Sequence, residues 1–370
     1  MFYVNLGAHD FDLAMDWLSQ VVFHPTLAPE KIEKERAVIF QERFGRYGWL
    51  INLLDRMGLG YDLEQGIRRA LFPNSSLHLC PGGEDASLDR LDRAALLAHY
   101  QRYYAPDNAC LVVVGGVTPD QVLEAAHRYV GTLSTRSSYE PPATPELPRH
   151  GPHRIIVRGP MITDQVYAET GARTVGRAHP DRWPLEVLAE FMHQELIQEV
   201  RFRRGLVYSL SVGNLFLEDA GYFAISYTSN PDHTEQILEL INERFCQVAQ
   251  AKVNPTQIDE TKHSLQEQWL LSMEGNESRA SWLVEWGFSL SPDQPVPDYM
   301  TEIGRVTPDD LARVVATYFT PEHRYLAMHQ PILTVSRAAR MAGTAVSLGV
   351  AAWTGYSLWK HLNRVRRSVT

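Results

Sequence analysis

Apolar and polar positions alternate along the chain with two different periods. Over 11–23, Leu13, Trp17 and Val21 repeat at helical spacing, Asp10 stands where a capping residue would, and Pro25 closes the run. Pro29 sits at a first-turn position and opens a second helix through about Arg43. Further on, 154–158 and 164–170 read as strands and 184–199 as a helix. The stretch 222–228 (YFAISYT) alternates like a strand with one buried face, and polar-faced helices follow over 233–251 and 255–273. One phrase occurs twice. A helix stopped by Pro106 leads into a strand over 110–114, and a helix stopped by Pro321 leads into a strand over 324–328. Tyr103-Tyr104-Ala105-Pro106-Asp107-Asn108 aligns with Tyr318-Phe319-Thr320-Pro321-Glu322-His323 at an offset of 215 residues. The repetition points to a duplicated α+β domain, with chance matching of a common helix–turn–strand as the alternative.

Residues 134–153 hold five prolines and almost no apolar periodicity, as an exposed linker would. They divide a first domain over 1–133 from a second over 154–330. Beyond these, 341–359 are nineteen consecutive residues without a formal charge, flanked by Arg337 and Arg340 on one side and by Lys360, Arg364, Arg366 and Arg367 on the other. A helix of that length spans about 28 Å, close to the hydrocarbon core of a bilayer. Trp353, Tyr356 and Trp359 lie where interfacial aromatics would. This predicts a single-pass C-terminal anchor; an amphipathic helix packed on the body or lying on a membrane surface is the alternative. The opening MFYVNLGAHDFD has no basic region and carries Asp10 and Asp12, unlike a signal peptide. Insertion after synthesis would leave the body in the cytosol, whereas the positive-inside rule would keep the basic C-terminus there, so the side of the body stays open.

Charge changes the picture further. The net charge is −9, yet 331–370 carry six basic residues and no acidic one, leaving 29 basic against 44 acidic residues in 1–330. An acidic body argues against a nucleic-acid binder, whose footprint is a basic face. Three cysteines without C-x-x-C spacing indicate neither a disulfide framework nor a cysteine zinc site.

Two stretches carry candidate chemistry. Glu35 and Glu42 are seven apart on the second helix and share a face with Val38 and Ile39, so the spacing predicts partly desolvated carboxylates. Local pairing with Arg36 and Arg43 on a solvated helix is the alternative. The second stretch runs from Glu199 to Leu210, where a helix ends at Gly205 and a strand begins near Val207. Arg201 and Tyr208 flank that corner and offer a cation and a phenol hydroxyl to an anionic or carbonyl oxygen. Capping and packing is the structural alternative for this pair.

In this order, E-R-x-V-I-x-x-E (Glu35 to Glu42) and R-x-x-x-G-L-x-Y (Arg201 to Tyr208) resemble the pitrilysin/insulinase family of zinc metallopeptidases, which includes mitochondrial processing peptidase subunits and the core proteins of respiratory complex III. The resemblance covers about 1–330. It implies repeated α+β domains of antiparallel sheet packed with helices, enclosing a substrate chamber. It also implies that Glu42 matches the third zinc ligand, Glu35 a supporting residue, and Arg201 and Tyr208 the pair that assists substrate binding and the transition state. The family's two zinc-binding histidines and general-base glutamate lie in an H-x-x-E-H helix, and none of the fourteen histidines here begins that pattern. His193-Gln194-Glu195 comes nearest but lacks the second histidine and falls in the other domain. Only His9 and His24 precede Glu42, and they read as surface or turn residues. Against the family, the first domain reads as truncated at its start, because the zinc helix precedes the segment matched by residues 2–6.

The expected function is therefore that of a family homologue, non-catalytic as given, which binds peptides or completes the chamber of a catalytic partner at a membrane. Zinc is the family's cofactor, and none is expected on this chain alone. One alternative is a zinc endopeptidase whose zinc-binding segment lies outside these residues; another is a structural subunit of a membrane complex.

Overall fold

In the computed structural model, the described residues are 1–44, 63–133 apart from 74, 80 and 84, 153–335 apart from 292, and the short pieces 339–340 and 353–354. The first stretch is helical: α1 (Phe11–Phe23), α2 (Pro29–Phe44), α3 (Leu63–Leu71), the single turn α4 (Asp85–Leu88), α5 (Arg93–Tyr103) and α6 (Pro119–Tyr129). Thr118 and Gln121 form a reciprocal capping box at α6, behind a proline in its first turn. Polar clasps join α6 to α1. Asp12 accepts from Arg128 at 2.8 Å and from the Tyr129 hydroxyl at 2.7 Å, and Ser19 donates to the Tyr129 carbonyl at 3.1 Å. The hydroxyl of Tyr100 on α5 reaches the Val22 carbonyl.

The sheet lies in the second stretch. Its strands are β1 (His153–Ile162), β2 (Val166–Val175), β3 (Val207–Phe216), β4 (Ala220–Ser229) and β5 (Arg324–Leu333), in the order β1-β5-β2-β4-β3. β1 runs parallel to β5, and the other neighbours are antiparallel. The sheet is thus mixed rather than purely antiparallel. Alternation along β4 sends Phe223, Ile225 and Tyr227 to one face and Tyr222, Ser226 and Thr228 to the other. The first face meets α7 (Arg182–Leu196), α8 (Thr234–Ala249), α9 (Pro255–Ser272), α10 (Asn276–Trp286), α11 (Tyr299–Arg305) and α12 (Pro308–Tyr318) in the main core, where Leu185, Leu188, Met192, Ile237, Ile241 and Leu311 are fully buried. Against the second face lies α3, whose Leu63, Ile67 and Leu71 pack with Phe72 on Tyr325 and Ala327. A helix from before the proline-rich stretch therefore covers part of the sheet that follows it.

Several expectations need correcting. Asp10 makes no side-chain cap to α1 and instead lies 3.1 Å from His9. Met15 and Ser19, not Leu13 and Trp17, are the buried residues of α1, because no described residue covers the face that Leu13 and Trp17 present. Residues 110–114 join no ladder, since no described strand lies beside them. β2 begins two residues late, as Asp164 falls in a turn where Thr163 Oγ1 accepts from the Gln165 N–H. Among the described residues no helix is long and apolar enough to cross a membrane. The expected anchor at 341–359, apart from Trp353 and Thr354, and the linker at 134–152 lie outside the described residues.

Candidate functional site

The corner flagged by Arg201 and Tyr208 is built by a widened helix end. α7 continues into a π-helical turn, Ile197–Arg203, which places one extra residue in the last turn. Gly205 follows at φ +63, and a Cβ there would meet nothing within 4 Å, so the backbone conformation and not space favours glycine. The Gly205 N–H returns to the Arg201 carbonyl at 3.0 Å. The Leu206 N–H reaches back six residues to Val200 at 2.9 Å, one further than in the ordinary glycine cap. Leu206 and Val207 then plunge into the core, and the β3–β4 register slips between Val207 and Ser209. Tyr208 sits in that bulge, 59% exposed.

Arg203 and Arg204 both pair with Glu199, at 3.0 and 2.6 Å, and their hydrogen bonds, that of Arg204 foremost, hold its carboxyl below the usual range. Arg201 has no such partner among the described residues. Its guanidinium lies 5.8 Å from the Phe202 ring and faces solvent. The corner therefore presents a guanidinium without an ion-pair partner among the described residues and an exposed phenol, each able to meet a carbonyl or carboxylate oxygen.

Glu35 and Glu42 are both exposed on α2, so the expected desolvation is not present among the described residues. Arg36 pairs with Glu33 at 3.1 Å and donates to the Leu91 carbonyl, which ties α2 to the start of α5. No described hydrogen bond or ion pair joins either carboxylate to the Arg201 corner. Zinc requires three or four converging ligands. No group of three histidine, cysteine, aspartate or glutamate residues able to hold a metal occurs among the described residues, and Glu42 alone does not fit one. The His193-Gln194-Glu195 stretch is structural: Glu195 pairs with Arg244 at 2.9 Å and accepts from Gln257 at 3.2 Å.

Sequence reasoning missed the π turn, for which no residue pattern is diagnostic, and a polar cluster on the second sheet face. There Glu169 accepts from the hydroxyls of Tyr325 at 2.7 Å, Ser226 at 2.8 Å and Tyr167 at 3.3 Å. Burial, then the Glu169 charge, pushes the Tyr325 phenol well up. The alternation of 222–228 placed Tyr222 and Ser226 on one face, but only the register across β2 and β5 brings Glu169 and Tyr325 to them.

Residues 90–265 match the family model described as "Peptidase M16 inactive domain", a span that holds the whole Arg201–Tyr208 corner. Over that span the chain is similar to the M16 peptidases. Among its relatives, an uncharacterized zinc protease of Mycobacterium leprae is 25% identical over 292 residues, 78% of this chain and 63% of that protein. The chain thus spans less than two thirds of that relative's length. The mitochondrial-processing peptidase subunit beta of Bos taurus is 20% identical, over 90% of this chain and 68% of that one. The fold is that of a protease from Helicobacter pylori, which aligns with a TM-score of 0.76 at 17% identity, covering 88% of this chain and 78% of the other. The resemblance to this family of zinc metallopeptidases, read from the two sequence motifs, is therefore borne out.

Proposed function

We propose that this chain is a non-catalytic M16 member that holds extended polypeptide and completes the chamber of a catalytic partner subunit. The observation that carries this reading is the match of 90–265 to the family's inactive domain, while the 370 residues contain no H-x-x-E-H. Arg201 and Tyr208 are assigned to substrate oxygen, and Glu35 and Glu42 keep the supporting and third-ligand positions that the family motif gives them. The segments 1–133 and 154–330 are taken as two copies of one α+β unit. Support for a partner comes from the bovine relative, which is by name a subunit.

A second reading is a zinc endopeptidase whose zinc-binding segment lies outside these residues. It is favoured by the retained Glu35 and Glu42 and by the longer M. leprae relative. Elemental analysis and hydrolysis of an unstructured peptide, with and without chelator, separate the two. The expected result is no stoichiometric zinc and no chelator-sensitive cleavage, with peptide binding retained. Arg201→Ala should weaken that binding about tenfold, the loss of one charge-assisted hydrogen bond. Stoichiometric zinc with chelator-sensitive cleavage would sink the non-catalytic reading.

We also assign 341–359 to a membrane, on its length and uncharged composition. After alkaline carbonate washing, the full chain should stay with the membrane pellet and a chain ending at residue 335 should be released. Release of both would remove the anchor.

A further inference from the structure

Among the described residues, Glu169 is an acid without a counter-charge. Its three hydrogen bonds all come from neutral hydroxyls, and no ion pair among the described residues includes it. A carboxylate has roughly four acceptor positions, so these bonds orient the group and leave its charge uncompensated. Tyr222 shows that a cation is near but occupied elsewhere: its phenol is pushed up mainly by burial, with Glu169 raising it and Arg68 opposing. Arg68 spends its guanidinium on Glu64, with bonds of 2.8 and 2.9 Å. Arg173, further along β2, lies over the Phe72 ring at 5.1 Å and donates to the Leu71 carbonyl.

The cluster also looks onto open surface. Tyr167 is 42% exposed, and the register aligns Ser211, Ser226, Glu169 and Ala327 in one row across four strands. The neighbouring row holds Ser209, Thr228, Tyr167 and His329. Ser209 and Ser211 are exposed, and a Cβ on Gly213 would meet nothing within 4 Å. Among the described residues, α3 covers this face around Ile155, Ala220, Tyr222, Tyr325 and Ala327. Two strand spacings, about 10 Å, separate β2 from β3, which begins at the Arg201–Tyr208 corner.

We propose that Glu169, framed by the hydroxyls of Tyr167, Ser226 and Tyr325, is a subsite for one basic side chain, lysine or arginine, of a polypeptide lying across this face. The proposal rests on the peptide-binding reading above and adds the chemistry of the peptide. A guanidinium or ammonium would complete a charge-assisted bond to the carboxylate and lie against phenol rings. An extended chain advances about 3.3 Å per residue, so the basic residue would sit about three residues from the oxygen held at the corner.

Two ten-residue peptides of alanine, glycine and serine, one with a central arginine and its twin with citrulline, provide the test by fluorescence anisotropy. Wild type should bind the arginine peptide about tenfold more tightly, and Glu169→Gln, which keeps acceptor and shape, should bind the two alike. Equal affinities in wild type, or a preference that survives in Glu169→Gln, would overturn the subsite. Should neither peptide bind, the peptide-binding reading fails, and N-acetyl-arginine methylamide decides the subsite alone by NMR. Shifts of the Tyr167 and Tyr325 resonances in wild type that vanish in Glu169→Gln keep it; no shifts in wild type remove it. Circular dichroism on the variant confirms that its fold is intact.

Discussion

Replacing Arg182 with alanine should cost about 3–5 kcal/mol of stability, because it strands a largely buried acid, Glu186. Arg182 is only 6% exposed at its side chain, 3.7 Å from Glu186 and 3.3 Å from Glu285. Its guanidinium lies 4.8 Å from the Trp286 ring, 5.1 Å from Trp183, 5.2 Å from Phe216 and 5.5 Å from Trp282. Alanine would remove both the charge facing Glu186 and the atoms filling the space between the rings. Urea unfolding should show the loss as a lower midpoint, with a fall in Tm on the order of 10 °C. The pair Arg182→Met with Glu186→Leu should recover most of it, since a well-packed apolar pair often matches a buried ion pair. A midpoint unchanged by Arg182→Ala would mean that the rings alone hold this part of the core.

The same pair gives stability a pH dependence of definite sign. Burial pushes the Glu186 carboxyl up, against the Arg182 charge and the 3.0 Å hydrogen bond from the Tyr299 hydroxyl. The folded state therefore takes up this proton more readily than the unfolded chain. The stability it contributes is fully present below the ordinary carboxylate value and is lost as pH rises through the folded one. Glu186→Gln should flatten the fall in stability that this group produces as pH rises above the ordinary carboxylate range. Identical profiles for wild type and variant would remove Glu186 as the cause.

Much of this architecture was legible where local signals and burial agree. α1 and α2 follow from periodicity and prolines, β4 from its alternation, and the left-handed Gly205 from its place between an apolar helix and an apolar strand. The sequence misled where an element depends on a distant partner. Residues 110–114 have the β-branched composition of a strand, but a ladder needs a neighbour, and none is described beside them. Leu13 and Trp17 are spaced for burial and find no cover. At the candidate site, the helix end carrying Arg201 and the strand start carrying Tyr208 were legible because a short local motif sets both. Glu169 was not, because its partners are 57 and 156 residues away and meet it only through strand register. Glu42 differs again: it is exposed on α2, and no group of three possible metal ligands occurs among the described residues.

Gly171→Ala should be the most damaging single methyl in the sheet. Gly171 lies at the middle of β2, paired with Ala224 on β4 and with Tyr325 on β5, so neither neighbour can retreat without breaking a ladder. A Cβ on Gly171 would stand 1.9 Å from the Phe223 carbonyl oxygen and 2.9 Å from its carbon, both backbone atoms. No side-chain rotation relieves that contact. Displacing β4 would disturb Phe223, which packs edge-on against Phe319 at 4.9 Å and lies 6.1 Å from Phe245 at the centre of the main core. It would also shift Ser226 and Tyr325 away from Glu169, since both belong to the strands that flank β2. The expected cost is several kcal/mol, at or beyond the 1–3 kcal/mol typical of overpacking. Soluble yield should fall, and any folded fraction should lose the arginine preference of the Glu169 subsite. Gly213→Ala is the matched control, because its Cβ meets open space on edge strand β3. If both substitutions were tolerated equally in urea unfolding, the close approach of β2 and β4 would not be what glycine serves at 171.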